Sequence, residues 1–288
     1  MIPRPFELHT PSTIAEALAF LDEKPEAKVI AGGQSLVPLM KLRLFSPPDL
    51  IDIGKIPGLS YIRKDKRAIR IGSMTTYNEV ASSSLVRNSC MPLAEASGQV
   101  ADQQVRNRGT LGGGACHADP AGDTPAALVA LDAEFVATGP KGERVVASKD
   151  FFKDIFTTDL RREELLTEVR VPSLPPGTGG TYHKFVKAES DYAIVGVAAA
   201  VALDKSGVCT DARVGLAGVG PIPIRATKAE AVLKGRRPGD DLLSEAGEKA
   251  SKMSDPSSDL RGDAAYKREM VKVVVKRALK QSIERARR

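Results

Sequence analysis

"GTLGGGACHADPAGDTPAAL" runs from Gly109 to Leu128. Three consecutive glycines, a cysteine, a histidine and two aspartates stand close together in it. Three chemistries compete for such a stretch: a metal site, a nucleophile, or a cradle for an anion. For a metal, Cys116, His117, Asp119 and Asp123 are the available ligands. Adjacent Cys116 and His117 would both have to turn toward one ion, and no second Cys/His cluster completes the set. Cys116 as a nucleophile has no stronger support, since a free cysteine more often behaves as a small buried hydrophobe. His9 and His183 are isolated and read as surface or core residues.

The glycines favour the third chemistry. Glycine permits positive φ and lets a ligand approach the backbone closely. Successive free N–H groups form an anion nest, and a helix start adds more donors and the positive end of its dipole. An earlier stretch, "KVIAGGQSLVP" from Lys28 to Pro38, has the same makeup. An apolar strand leads to a Gly32-Gly33 turn, and Ser35 opens a helix. In the later stretch Thr110 supplies the hydroxyl. Neither matches GxGxxG or the GK[ST] phosphate loop, which disfavours a standard dinucleotide fold or an ATPase. Each loop alone is weak evidence, because most glycine turns are only tight turns. Two of them, about eighty residues apart, can grip a pyrophosphate from both sides.

The surrounding pattern alternates short helices and strands. Thr13 and Glu16 predict a capping box ahead of a helix with Ile14, Ala17, Leu18 and Leu21 on one face. "SLVPLMKLRL" predicts a helix with Pro38 near its first turn, and "DLIDI" and "AIRIG" predict strands. "TTYNEVA", "MPLAEASGQVA" and "DTPAALVALD" predict helices, the last with Asp123 as N-cap. "AEFVATGPKGERVVAS" predicts a hairpin and "ELLTEVRVP" a strand. "PSLPPGTGG", Pro172 to Gly180, predicts a linker or long turn. Beyond it, "TYHKFVK", "AIVGVAAAVAL" and "ARVGLAGVG" predict one antiparallel sheet. Helices beginning near Thr227, Asp241 and Ala264 follow, an α+β arrangement.

The chain has 288 residues, 42% of them hydrophobic and 27% charged, enough for two modest domains or one large one. No apolar run is long enough to span a bilayer; the best candidate is Ala193 to Leu203. The N-terminus lacks a signal-peptide core, so a cytoplasmic location is expected. The three cysteines, Cys90, Cys116 and Cys209, form neither a disulfide framework nor an iron–sulfur ligand set. The net charge of +6 is concentrated at the end: Tyr266 to Arg288 holds nine Lys or Arg against two Glu. Without interleaved aromatics that segment reads first as a solvated helix face. Docking to an acidic partner subunit comes second and nucleic acid a distant third.

"AGGQSLVPLMKLRL", "VRNRGTLGGGACHADPAGDTPAAL" and "KAESDYAIVGVAAAV" occur together and in this order. In that combination the chain closely resembles, over essentially its full length, the FAD-binding medium subunits of the molybdenum hydroxylases. The group includes those of aerobic-type carbon monoxide dehydrogenase, xanthine dehydrogenase and aldehyde-oxidising relatives. The resemblance implies an α+β chain with an FAD-binding fold of the vanillyl-alcohol-oxidase type. Two FAD-binding subdomains, 1–57 and 58–174, would precede a C-terminal α+β domain, 180–288. It also implies a partner arrangement. A small iron–sulfur subunit carries two [2Fe–2S] clusters, and a large molybdopterin subunit carries the molybdenum cofactor. The assembly would be a dimer of heterotrimers, without nucleic acid or membrane insertion. Electrons would pass from the clusters to FAD and on to an external acceptor. The Cys-rich insertion of relatives that reduce aromatic acyl-CoA thioesters is missing here.

Carried over residue by residue, the first pyrophosphate loop falls on Ala31, Gly32, Gly33, Gln34 and Ser35. The second falls on Thr110, Leu111, Gly112, Gly113 and Gly114. Many relatives have His at the position of Gln34, and Asn or Asp at that of Gly114. Asp123 would contact the polar tail of the flavin. A leucine beside the isoalloxazine would be Leu165 or Leu166, with Leu166 taken here. A lysine on the next strand would be Lys184, with Lys187 as its alternative. Asp191 and Tyr192 would lie near the ring. Because the flavin supplies the redox chemistry, no catalytic acid–base pair and no metal ligand is expected on this chain. The alternative within the fold is a stand-alone flavin reductase like the enolpyruvyl-UDP-sugar enzyme. Its serine proton donor and sugar-nucleotide pocket have no clear match.

Overall fold

The structure, a computed structural model, describes residues 2–66 and 68–287. Arg288, the last residue of the basic segment, lies outside them, as do Met1 and Arg67. The chain begins with β1 (Glu7–His9), α1 (Ile14–Glu23), β2 (Lys28–Ile30), α2 (Leu36–Lys41) and β3 (Asp49–Asp52). The strands form a parallel sheet in the order β1-β3-β2, joined by helical crossovers as parallel pairing requires. At the start of α1, Thr13 Oγ1 accepts the Glu16 N–H at 3.1 Å. The Glu16 carboxylate reaches the N–H of Ser12, at 2.7 Å, not that of Thr13. The expected capping box is therefore displaced by one residue. Ala17, Leu21, Ile51, Ile53 and Ile56 pack together with Leu165 from later in the chain. The helix predicted over "SLVPLMKLRL" stops early, at Lys41, because Arg43 takes a left-handed φ of 59°.

The next part holds β4 (Ile62–Asp65), β5 (Ala68–Gly72), α3 (Tyr77–Ser82), α4 (Ser84–Ser89), α5 (Met91–Gly98), α6 (Gln103–Arg106), α7 (Leu111–His117) and α8 (Asp123–Ala130). It continues with β6 (Glu134–Gly139), β7 (Gly142–Ala147), α9 (Ser148–Phe151), β8 (Phe152–Asp154), β9 (Thr157–Thr158) and β10 (Leu165–Pro172). Five strands make an antiparallel sheet, β4-β5-β10-β6-β7. Its core gathers Ile69, Ile71, Leu93, Leu111, Leu128 and Val169 around Phe135, which stacks on Phe151 at 3.9 Å. The full capping box of this region, Thr76 with Glu79 ahead of α3, has the pattern expected of Thr13 and Glu16.

Only Ser173–Gly177 separates the sheets; Pro172 ends β10, and Thr178 to Gly180 already belong to β11 (Thr178–Phe185). Then come β12 (Val195–Leu203), β13 (Cys209–Ala217), β14 (Ile224–Arg225), α10 (Thr227–Leu233), α11 (Asp240–Met253) and α12 (Ala264–Ala286). The sheet order is β11-β12-β13-β14, antiparallel throughout. Val195 through Ala202 of β12 are all buried, and the alternation of side chains explains how. Val195, Val197, Ala199 and Val201 face the core under α10–α12, while Ala198 faces the core containing α5 and α8. The sheet is thus a shared layer between two sets of helices. On α12, Val271, Val274, Val275, Ala278, Leu279 and Ile283 face inward. Of the basic residues here, Lys272 and Lys276 pair with Glu248 and Asp240 of α11, Lys267 is buried, and Arg277, Lys280 and Arg287 are exposed.

Candidate functional site

The two glycine motifs, remote in sequence, meet in space. β2 ends one residue before Ala31, and the chain turns through Gly33 at φ +73°, a conformation that favours glycine. A Cβ on Gly32 would overlap the carbonyl oxygen of Arg108, just before the second motif. A Cβ on Gly113 would stand 3.4 Å from the Cβ of Ala31. Backbone therefore lies against backbone where the motifs touch. Among the described residues, no group accepts the backbone N–H of Gly32, Gly33, Gln34 or Ser35. Those four N–H groups, just ahead of α2, are left for an anion to accept. Gln34 is exposed, and its amide donates to Gly32 O at 3.3 Å.

The second motif is built differently from the loop its glycines suggest. Leu111 to Gly114 form the first turn of α7, with Thr110 as N-cap. Thr110 Oγ1 accepts the Gly113 N–H at 3.0 Å, and the Gly114 N–H goes to Thr110 O. The Leu111 and Gly112 N–H groups go to Thr75 O and Ser73 O. All four amides thus have protein partners. These glycines are needed for clearance. A Cβ on Gly112 would lie 2.5 Å from that of Ser73, and one on Gly114 would overlap the hydroxyl of Tyr77. In this chain the Tyr77 hydroxyl enters the space that a side chain at position 114 would occupy.

Behind α7 sits a buried ion pair. Asp123 is the first residue of α8 and not its N-cap, which is Gly122. Its carboxylate points back into the protein. One oxygen accepts from Lys184 Nζ at 2.9 Å, and the other from the Tyr182 hydroxyl at 2.7 Å. Lys184 Nζ also donates to Gln99 O at 2.9 Å. Burial pushes the Asp123 carboxyl up, against the pull of Lys184 and Tyr182. Burial, with Asp123 beside it, pushes the Tyr182 phenol far up and keeps it protonated. Of the two lysines, Lys184 joins this cluster, while Lys187 stands exposed. Tyr182 was missed from sequence. Its signal was the two-residue period of β11, which puts Tyr182 and Lys184 on one face.

Leu165 and Leu166 are both buried, on opposite faces of β10. Leu165 joins the core of the first sheet and Leu166 that of the second, just ahead of a register shift at Glu168. Asp191 and Tyr192 lie in the turn before β12. Tyr192 is half exposed, and its phenol is pushed up by burial and then by Asp119, so it borders the α7–α8 junction. Arg261, also missed, donates to Asp191 at 2.7 Å and lies 5.4 Å from the Tyr192 ring centroid.

Burial pushes the Cys116 thiol up to about 12, leaving it an unreactive packing residue near neutral pH. Burial likewise lowers His117, which is neutral at that pH. Among the described residues, no three His, Cys, Asp or Glu side chains are placed to hold a metal ion. None of the described helices is long and apolar enough to cross a membrane.

Residues 4–174 match the family model described as the FAD binding domain in molybdopterin dehydrogenase, and residues 180–282 match the CO dehydrogenase flavoprotein C-terminal domain. The chain is 41% identical to the carbon monoxide dehydrogenase medium chain of Hydrogenophaga pseudoflava, over 97% of each chain. It is 37% identical to the glyceraldehyde dehydrogenase medium chain of Sulfolobus acidocaldarius, over 98% of this chain and 99% of that one. A solved structure of carbon monoxide dehydrogenase from Hydrogenophaga pseudoflava superposes with a TM-score of 0.96 at 42% identity, covering 99% of both chains. Quinoline 2-oxidoreductase from Pseudomonas putida superposes with a TM-score of 0.94 at 30% identity, covering 99% of both.

Proposed function

The chain belongs to the FAD-binding medium-subunit family of the molybdenum hydroxylases, and from that premise we propose that it is the electron-relay subunit of such a complex. A small iron–sulfur subunit and a large molybdopterin subunit would be its partners, in a dimer of heterotrimers in the cytoplasm. Bound FAD supplies the redox chemistry, taking electrons from the partner's [2Fe–2S] clusters and passing them to an external acceptor. The observation that carries this is the meeting of Gly32–Ser35, with its four unaccepted N–H groups, and the first turn of α7.

The residues fit the cofactor in distinct ways. The backbone donors of Gly32 to Ser35, with the Ser35 hydroxyl, would bind the pyrophosphate. Thr110 to Gly114 would form a close wall on its other side, because Gly112 to Gly114 carry no side chains and Leu111 is buried in the core. Asp123 and Lys184 neutralise each other, so their contribution is to hold α8 and β11 at fixed spacing behind the flavin's polar tail. Leu166, buried in the second core beside the β10 register shift, would be the leucine on the ring's side of that strand. Tyr192, half exposed, would cover a ring face, with Asp191 beside it. The division at 1–57, 58–174 and 180–288 belongs to the same proposal.

A tagged full chain purified from its own cells tests it. The expected result is a yellow preparation with one flavin per chain, accompanied by two further subunits containing iron and molybdenum. A colourless chain that takes up no added FAD, even with its co-purifying partners, would end the proposal. Flavin without partner subunits would favour a stand-alone reductase.

A further inference from the structure

We propose that Arg261 is a positioning residue for the flavin site: from a loop beyond the C-terminal sheet, it locks the Asp191–Tyr192 turn in place. The inference rests on the FAD assignment above. Arg261 sits between α11 and α12, far in sequence from both glycine motifs. Its Nη2 donates to Asp191 Oδ1 at 2.7 Å, and its Nε lies 3.3 Å from each Asp191 oxygen. The same Oδ1 accepts the Tyr192 N–H at 2.7 Å. The guanidinium carbon lies 5.4 Å from the Tyr192 ring centroid, within cation–π reach. One planar cation therefore holds the carboxylate, and through it the backbone of Tyr192, while also contacting the Tyr192 ring. A lysine ammonium cannot reproduce that fork-shaped contact.

The loop that presents Arg261 is itself held. Lys267 is buried, its side chain 4% exposed, and its Nζ donates to Ser257 O at 3.0 Å and Asp259 Oδ2 at 2.8 Å. The Asp255 N–H reaches Val219 O at 2.8 Å, and the Ala264 N–H reaches Ser258 Oγ at 3.0 Å. On the other side of the contact, Ser190 adopts a left-handed φ of +65°, which a non-glycine residue holds only when its surroundings fix it. A part-exposed ion pair adds little to folding. So much anchoring around one pair therefore points to the placement of the turn it holds.

The test uses the full chain in its purified complex, with Arg261→Ala, Arg261→Lys and Asp191→Asn. Three quantities are measured: the FAD dissociation constant, the quenching of flavin fluorescence and the flavin midpoint potential. Arg261→Ala should weaken FAD binding about tenfold, relieve quenching by Tyr192 and lower the potential, with little change in melting temperature. Arg261→Lys should keep the potential, because the charge remains, and lose the quenching. Combined with Asp191→Asn, Arg261→Ala should add little further, since both act on one turn. Binding, quenching and potential equal to wild type in Arg261→Ala would overturn the proposal. So would full additivity, or an Arg261→Ala chain that does not fold. Wild-type protein without FAD would fail at an earlier, separate step and remove the site assignment itself.

Discussion

Lys184 and Asp123 each expose only 6% of their side chains, and among the described residues neither has another ionic partner. Replacing Lys184 with Met strands a carboxylate in the interior, a change that costs about 3–5 kcal/mol where the pair is buried. The pH dependence has a definite sign. Burial already raises Asp123 in the folded protein, and losing Lys184 raises it further. A carboxyl raised above its unfolded value, near pH 4, stabilises the fold while protonated. That contribution is full below about pH 4 and is lost as pH rises through the folded-state value. The deficit of Lys184→Met should therefore be small in acid and grow toward neutral pH. Urea melts at about pH 4.5 and about pH 7.5 would show it, and a deficit independent of pH would refute it. Gly114 offers a second single-residue test. Gly114→Ala should destabilise the protein by driving the Tyr77 ring from its place, and Tyr77→Phe in the same chain should restore part of the loss. Gly112→Ala should have no such rescue, since its obstacles include the backbone of Ser73. Melting temperatures of the four variants decide it; an equal loss in Gly114→Ala with and without Tyr77→Phe would contradict the assignment.

At the scale of elements, α7 shows what the sequence displayed and what it withheld. "GTLGGGACHADPAGD" announced a place where backbone must come close, and Gly32 and Ala31 do come against Arg108 and Gly113 there. It did not announce a helix, because three glycines in a row are poor helix formers. Thr110 caps Gly113 locally, but what else holds α7 is tertiary: the carbonyls of Ser73 and Thr75 accept its first amides. Those partners lie over thirty residues upstream and carry no pattern of their own. The same limit explains Asp123. Its position at a helix start fits an N-cap, yet Tyr182 and Lys184 from a different sheet claim its carboxylate. Arg261 was invisible for the same reason, as nothing in "SSDLRGDA" suggests a partner in "ESDYA". The longer strands were legible from apolar runs bounded by turn residues, while the short ones, β1, β4, β8, β9 and β14, carry too few residues to show a pattern. Thr110→Ala should cost about 1 kcal/mol through the lost cap and loosen the wall of the site, while Thr110→Ser should be close to neutral. Denaturant midpoints, with FAD affinity alongside, would check both; an unchanged midpoint in Thr110→Ala would deny the cap its role.

For the whole molecule, the central question is whether the C-terminal sheet stands as a separate body. The proline-rich junction after β10 suggests a hinge between independent domains. The packing opposes that. Ala198 and Tyr182 belong to the same core as Leu93 and Leu128, while the other face of β12 serves the core under α12. A Cβ on Gly215 would overlap the carbonyl of Ala126, and one on Gly180 would stand 2.8 Å from the ring of Pro92. Helices α5 and α8 are thus fitted to this sheet at backbone distance, and separating them would expose apolar surface on both sides. Each large aliphatic side chain so exposed costs about 1.5–3 kcal/mol, and a few of them equal the whole stability of an ordinary domain. The chain should therefore unfold in one calorimetric transition, with van't Hoff and calorimetric enthalpies in agreement. Residues 1–174 and 180–288, produced apart, should each lack a cooperative melt and should regain one on mixing. Two separate transitions in the intact chain, or a fragment melting as the whole does, would show the sheet to be independent. The turn at Asp191 and Tyr192 would then be free to move against the glycine motifs. One transition would instead make the C-terminal layer part of the frame that holds Lys184 and Arg261 at the site.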